Sequence, residues 1–201
     1  MKTFNICTAL AVTLGALCAC ARTSGWSEYE TALINASDSL MRVLTVNDEA
    51  DSLLLRDTCQ LLSDEMLLSE TYTVLAEKMV ATVTSPEQDG VGIAGPQVGI
   101  SRRVVAVMRF DKEGSPFEVY PNIRIVAVRG EREPGREGCL SVPGRRGVVD
   151  RWRDIDIQYS VVKSGAVLDT TETITGFTAV IFQHECDHLD GVIYTDKLVQ
   201  N

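Results

Sequence analysis

Histidine is scarce in this chain: two in 201 residues. Aromatic residues make up only 6%, and there are six prolines. The longest mostly apolar run, residues 4–19, falls short of the about 20 residues a membrane-crossing helix needs, which excludes a multi-span membrane protein. Basic residues are outnumbered, with Lys plus Arg at 19, Asp plus Glu at 28 and a formal net charge of −9. An acidic chain repels nucleic acid and anionic lipid head groups, so neither is an expected partner through charge. No internal repeat or low-complexity tract is visible. What is present is ordinary: 45% hydrophobic and 23% charged residues, the balance of a globular domain. The length bounds one domain with an appendage, long enough to bury a core without staples.

Six cysteines remain to be placed, and three of them, Cys7, Cys18 and Cys20, fall at the start. Lys2 precedes an uncharged, mostly apolar run from Phe4 to Ala19, which has the form of a signal peptide. Leu17-Cys18-Ala19-Cys20 resembles the lipobox of bacterial lipoproteins, with Cys20 as the lipidated residue and Cys18 as a departure from the usual small or hydroxyl residue. An ordinary signal cut near Ala19 or Ala21, or an uncleaved anchor, are the alternatives. Residues 1–19 are therefore expected to be a signal and residues 20–52 a tether with one short helix, Tyr29 to Val43. Residues 53–201 are expected to form the folded unit. The expected location is a bacterial cell envelope, lipid-anchored or periplasmic, with membrane contact only through the anchor.

The folded part reads as α+β. Ser63-Asp64 opens a helix whose row Leu67, Thr71, Leu75, Met79, Val83 recurs every fourth residue, and Pro86 lies just beyond its end near Thr84. A glycine-rich loop follows, Gly90 to Gly99. Val104 to Phe110 reads as a buried strand, and Val119 to Arg129 as one or two more. In Val148 to Val162, Ile155, Ile157, Tyr159 and Val161 alternate with Asp154, Asp156, Gln158 and Ser160, the pattern of a half-wet antiparallel strand. Ser164-Gly165 turns the chain into a return strand, Val167 to Ile174. A last helix runs from Phe177 to Leu189 and ends at Asp190-Gly191. A long helix, a run of strands and a helix laid against them make an α+β layer fold.

Both histidines lie in His184-Glu185-Cys186-Asp187-His188. Residues i and i+4 share a helix face, so both imidazoles reach one cation, and Glu185 addresses a water beside it. A pair of surface histidines on an amphipathic helix is the bland alternative. Catalytic zinc sites take a third protein ligand. Only Asp190 and Asp196 are acidic after His188, so a downstream third ligand is not expected. Upstream stands Glu137-Gly138-Cys139-Leu140-Ser141, where Cys139 presents a thiolate beside turn residues or else packs as a core thiol. A thiolate with two imidazoles suits a soft divalent metal. Cys186 and Cys59 read as packed core residues, and Asp187 as an acceptor behind a ligand or a solvated charge.

These segments together resemble the peptide deformylase family. GxGxAxxQ stands at Gly90 to Gln97, EGCLS at Glu137 to Ser141 and QHExDHLxG at Gln183 to Gly191, in the family's order. The resemblance runs from Leu55 to about Leu198. It implies antiparallel sheets packed around the C-terminal HExxH helix. It implies metal binding by Cys139, His184 and His188, proton transfer by Glu185, and an oxyanion hole from the Gln97 amide and the Leu140 backbone N–H. It further implies a substrate groove at Val91, Gly92 and Gly138, and a first side-chain pocket at Phe177, Val180 and Ile181. The implied reaction removes the N-formyl group of N-formylmethionyl peptides, using one divalent ion per chain, Fe2+ by resemblance, with Zn2+, Ni2+ or Co2+ as alternatives. A monomer is expected. Deformylases usually work in the cytoplasm, so the leader at the start is the larger departure. It keeps open an exported amidase for other formamides or short peptides, and a non-catalytic lipoprotein of the same fold. An HExxH endopeptidase is a more distant alternative, since the downstream ligand is missing.

Overall fold

The computed structural model describes residues 25–199. Four helices come first: α1 (Glu28–Ile34), α2 (Glu49–Leu55), α3 (Asp64–Leu67) and α4 (Glu70–Val83). Two three-stranded antiparallel sheets follow, one of β1 (Gly92–Ala94), β2 (Val104–Met108) and β3 (Phe117–Pro121), the other of β4 (Arg124–Cys139), β5 (Val142–Lys163) and β6 (Ala166–Thr175). Helix α5 (Gly176–Leu189) closes the order, before a short 3-10 turn at Tyr194–Lys197. The expected α+β class holds.

Helix α5 lies between the sheets. Ala179, Phe182, Cys186 and Leu189 on it share one core with Val105 and Val107 of β2 and with Ile155, Ile157 and Ile174 of the second sheet. The other face of β2, Val104 and Ala106, packs with Leu75, Met79 and Val83 of α4. Burial on both faces explains why β2 reads as a continuous apolar run rather than an alternating one. Cys59 and Cys186 are buried in the first core, as expected of packed residues. Gly191 ends the last helix with φ +72°, and a Cβ there would stand 2.2 Å from the Arg56 carbonyl oxygen. No other residue fits so close an approach in that conformation.

Two expectations change. The single helix expected from Ser63 to Thr84 is two helices, α3 and α4, broken at Leu68-Ser69. The Ser69 hydroxyl accepts from the Tyr72 backbone N–H and starts the second helix afresh, while the four-residue apolar row carries on across the break. The expected tether is also folded over its described part. Ile34, Met41 and Leu44 are buried in the cores, and α1 occupies only part of the helix expected over Tyr29 to Val43. Trp26 Nε1 donates to Ser69 Oγ at 3.1 Å. The buried Glu30 carboxylate takes two bonds from the buried Arg102 guanidinium, at 2.6 and 2.9 Å. Residues 1–19 and Cys20 lie outside the described residues.

Burial raises the Glu30 carboxyl, but its bonds with Arg102 and Ser27 outweigh this and hold it below the ordinary 4.5. Its contribution to stability is therefore full above that value and fades as pH falls through the depressed one. Glu30→Ala leaves Arg102 buried without its partner and is expected to lower the unfolding free energy by about 3–5 kcal/mol. Guanidinium titration measures it. An unchanged midpoint would mean that this segment is not part of the folded unit.

Candidate metal centre and active site

Helix α5 and the β4–β5 hairpin build the site. Cys139 ends β4, and Cys139 and Val142 face each other across the turn at Leu140-Ser141. His184 and His188 stand one turn apart on α5, with ring centroids 5.1 Å apart. Donor atoms of Cys139, His184 and His188 all lie within 4.8 Å of one another, and Cys139 Sγ is 3.2 Å from His188 Nε2. A tetrahedral ion with bonds of about 2.3 Å to sulfur and 2.0–2.1 Å to nitrogen separates its donors by about 3.3–3.6 Å. The donor set and its spacing fit one soft divalent ion.

The His184 ring is oriented from behind. Its Nδ1 is 2.9 Å from Glu137 Oε2, which leaves Nε2 for the site. Glu137 accepts two further bonds from Arg151, at 2.8 and 3.0 Å. Arg151 also meets Asp187 at 2.5 Å, and Lys197 meets Asp187 at 2.6 Å. Burial pushes Glu137 up, yet its bonds with His184 and Arg151 bring it down to about 2, so it is a fixed anion. Burial disfavours a charge on His184, but Cys139 and Glu137 reverse that and raise it to about 10. His188 goes the other way: burial, with neighbouring His184 and Arg151, holds it well below its ordinary value.

Glu185 is buried on the cleft side of α5, and its Oε2 has no hydrogen-bond partner among the described residues. Burial raises its carboxyl to about 7, against the pull of His184. Gly92 makes room for it, since a Cβ there would stand 2.5 Å from Glu185 Oε1. Gln97 sits in the 3-10 turn Gly95–Val98. Its Oε1 accepts from the Ala94 N–H at 2.8 Å, so its amide nitrogen faces Ser141 Oγ at 3.2 Å and Cys139 Sγ at 3.6 Å. Two backbone bonds hold this loop and the hairpin turn from outside, Leu44 N–H to the Gln97 carbonyl at 2.8 Å and Val46 N–H to the Ser141 carbonyl at 2.9 Å.

A cleft of about 830 Å³ opens over these groups. Val91, Gly92, Gln97, Gly138, Cys139, Leu140, Phe177, Val180, Ile181, His184 and Glu185 all line it, and His188 completes the donor set beneath. The structure thus brings together every expected site residue in its described part. Sequence reasoning gave no role to Glu137, Arg151 or Ser141. One cue was available: Glu137 and Cys139 are two apart on a strand and so share a face. The Asp187 expected as an acceptor behind a ligand instead holds Arg151, one step further back.

A thiol and two imidazoles around one ion position, with a buried carboxylate beside them in a cleft, are the parts of a metal-dependent hydrolase. The polypeptide deformylase family model matches residues 40–201. The chain is 42% identical over 114 residues to a peptide deformylase of Desulforudis audaxviator, covering 57% of this chain and 70% of the relative. Alignments to curated relatives span about two thirds of their length, 64% for a Nitrosomonas europaea peptide deformylase. Among solved structures, the peptide deformylase of Thermotoga maritima superposes with a TM-score of 0.67 at 29% identity, over 80% of this chain and 99% of that one. A Met-Ala-Ser-bound class I type b peptide deformylase from Acinetobacter baumannii gives 0.66 at 33%, over 79% and 98%. The chain belongs to the polypeptide deformylase family, metal-dependent hydrolases that remove N-formyl groups from peptides.

Removing the Glu137 carboxylate frees the His184 ring, and losses of this kind lower metal affinity by about 10–100-fold. Glu137→Gln is expected to show that loss in a Zn2+ competition titration while circular dichroism stays unchanged. Equal affinity would show that the carboxylate does not orient the ligand.

Proposed function

We propose that this chain hydrolyses the formamide of N-formylmethionyl peptides at this cleft, releasing formate and a free amine. The observation that carries the reading is the unpartnered Glu185 Oε2 beside the Cys139, His184 and His188 donors. Cys139 Sγ and the two imidazoles, through Nε2, would hold a divalent ion. A bound divalent cation supplies Lewis acidity, which brings water to nucleophilic strength near neutral pH. Glu185 takes the proton of the attacking water and returns it to the departing amine. Charge grows on the former carbonyl oxygen, where the Gln97 amide and the Leu140 backbone N–H donate. Gln97 suits this because its other end is tied to Ala94, so its N–H bonds need no reorientation. Val180 and Ile181, with Phe177 and Val91 at the mouth, take the methionine side chain, and Gly92 and Gly138 admit the peptide backbone. The Acinetobacter relative bound to Met-Ala-Ser supports a peptide product in the corresponding groove.

Fe2+ is the metal the family resemblance favours, and Zn2+ suits the same donors where oxygen is present. Since all three ligands come from one chain, a monomer is sufficient. The leader-like residues 4–19 and the lipobox-like Cys20 support anchoring in a cell envelope. Such a location favours a second reading, an exported relative acting on other formamides or short peptides. Turnover of formyl-Met-Ala-Ser no faster than that of other formamides would select it. Cys20→Ser is expected to move the protein out of the membrane fraction, and unchanged fractionation would reject the lipid anchor.

Glu185→Gln is expected to keep the metal and to lower formate release by about 10²–10⁴-fold. Gln97→Ala is expected to lose about 10²-fold in kcat with KM changed far less. Full turnover by metal-loaded Glu185→Gln would remove the proposed mechanism.

A further inference from the structure

Arg136, Arg145 and Arg146 line the same cleft, and all three are exposed. They belong to the hairpin that carries Cys139. Across it Arg136 faces Val148 and Gly138 faces Arg146, while Pro143-Gly144-Arg145 bulges between Val142 and Arg146. Arg146 lies over Gly138, where a Cβ would meet its Cγ at 3.4 Å and its Nε at 3.7 Å. Arg145 is close enough to act electrostatically on Tyr194, whose ring stacks on His184 at 6.0 Å. Arg136 is three residues before Cys139, about 10 Å along the strand.

Among the described residues, no carboxylate forms a salt bridge with any of these three. Arg102, Arg109, Arg129 and Arg151 each hold at least one. The chain carries nine more acidic than basic side chains, so unpaired guanidiniums gathered in one cleft make a local positive field against the molecule's own charge. Gln88 and one exposed-rim carboxylate, Asp89, also line the cleft. Glu137 in the same cleft is already taken by Arg151 and His184. The outer cleft therefore presents three cations against one free anion.

We infer that this rim selects formyl peptides carrying a carboxylate side chain at the second or third residue. The inference rests on the formyl-peptide reading and deepens it by naming a substrate class. With the formyl group at the ion and the first side chain in the apolar pocket, the next residues follow Gly138 outward. At about 3.3 Å per residue, with successive side chains on alternate sides, one of the next two side chains comes level with the rim of Arg146, Arg145 and Arg136. An exposed guanidinium–carboxylate pair changes an equilibrium by about three-fold and a like-charge contact costs about as much, so acidic and basic peptides differ by the product, about ten-fold.

The test compares formyl-Met-Ala-Ser, formyl-Met-Asp-Glu and formyl-Met-Lys-Lys with the full metal-loaded chain at low salt. The acidic peptide is expected to exceed the basic one about ten-fold in kcat/KM, chiefly through KM, and the gap to shrink in about 0.5 M salt. Arg136→Glu combined with Arg145→Glu is expected to invert the order, a gain for the basic peptide that misfolding cannot produce. Deformylation of all three at equal rates, or an order unmoved by the double variant, overturns the inference and leaves the reaction standing. No deformylation of any peptide removes the formyl-peptide reading and the inference with it. Release of the double variant from phosphatidylglycerol vesicles that hold the parent, with peptide order unchanged, would assign the rim to a membrane and overturn the inference.

Discussion

Glu137 stands between a guanidinium and an imidazole, and the position of the donor atoms in the cleft follows from that. It accepts from Arg151 on one side and faces His184 Nδ1 on the other. It is also two residues from Cys139, on the same face of β4, so one strand sets both a ligand and the group that aims another ligand. Arg151 comes from β5 and Asp187 from α5, so the ion pairs tie hairpin to helix behind the site. A buried chain of charges like this contributes little net stability, because desolvation offsets much of the attraction. Its value is positional: the rings and the Cys139 sulfur need not be moved when a cation arrives.

The same helix serves the core and the chemistry. Its buried row Ala179, Phe182, Cys186, Leu189 fixes its rotation between the two sheets. That rotation then determines where His184, Glu185 and His188 point. Glu185 Oε2 has no hydrogen-bond partner among the described residues, and burial raises the carboxyl's proton affinity. Gly92 lets β1 pass close enough to bury it. The segment between α1 and α2 reaches the site too, since the Leu44 and Val46 backbone N–H groups donate to the carbonyls of Gln97 and Ser141.

Much of this was legible from residues alone. The strand around Ile155 and Ile157, its return at Ser164-Gly165 and the histidine pair rest on periodicities of two and four, which local sequence carries directly. Cys139 is 45 residues upstream of His184, and no spacing rule spans that distance; its flanking turn residues made it a candidate beside a core thiol, and the three-motif resemblance implied its role as a ligand. The α3–α4 break was hidden because Ser69 interrupts the backbone but not the apolar row. The described part of residues 20–52 read as a tether because its large apolar residues are few, and Ile34, Met41 and Leu44 are buried one at a time. The role of Arg151 was invisible, since its partners Glu137 and Asp187 lie on two other elements.

The shared ion remains the claim on which the chemistry stands. X-ray absorption at the metal edge of the Zn2+-loaded full chain tests it most directly. The expected result is one ion per chain with a single sulfur at about 2.3 Å and nitrogen neighbours at about 2.0–2.1 Å. A shell without sulfur, or one unchanged by Cys139→Ser, would contradict it.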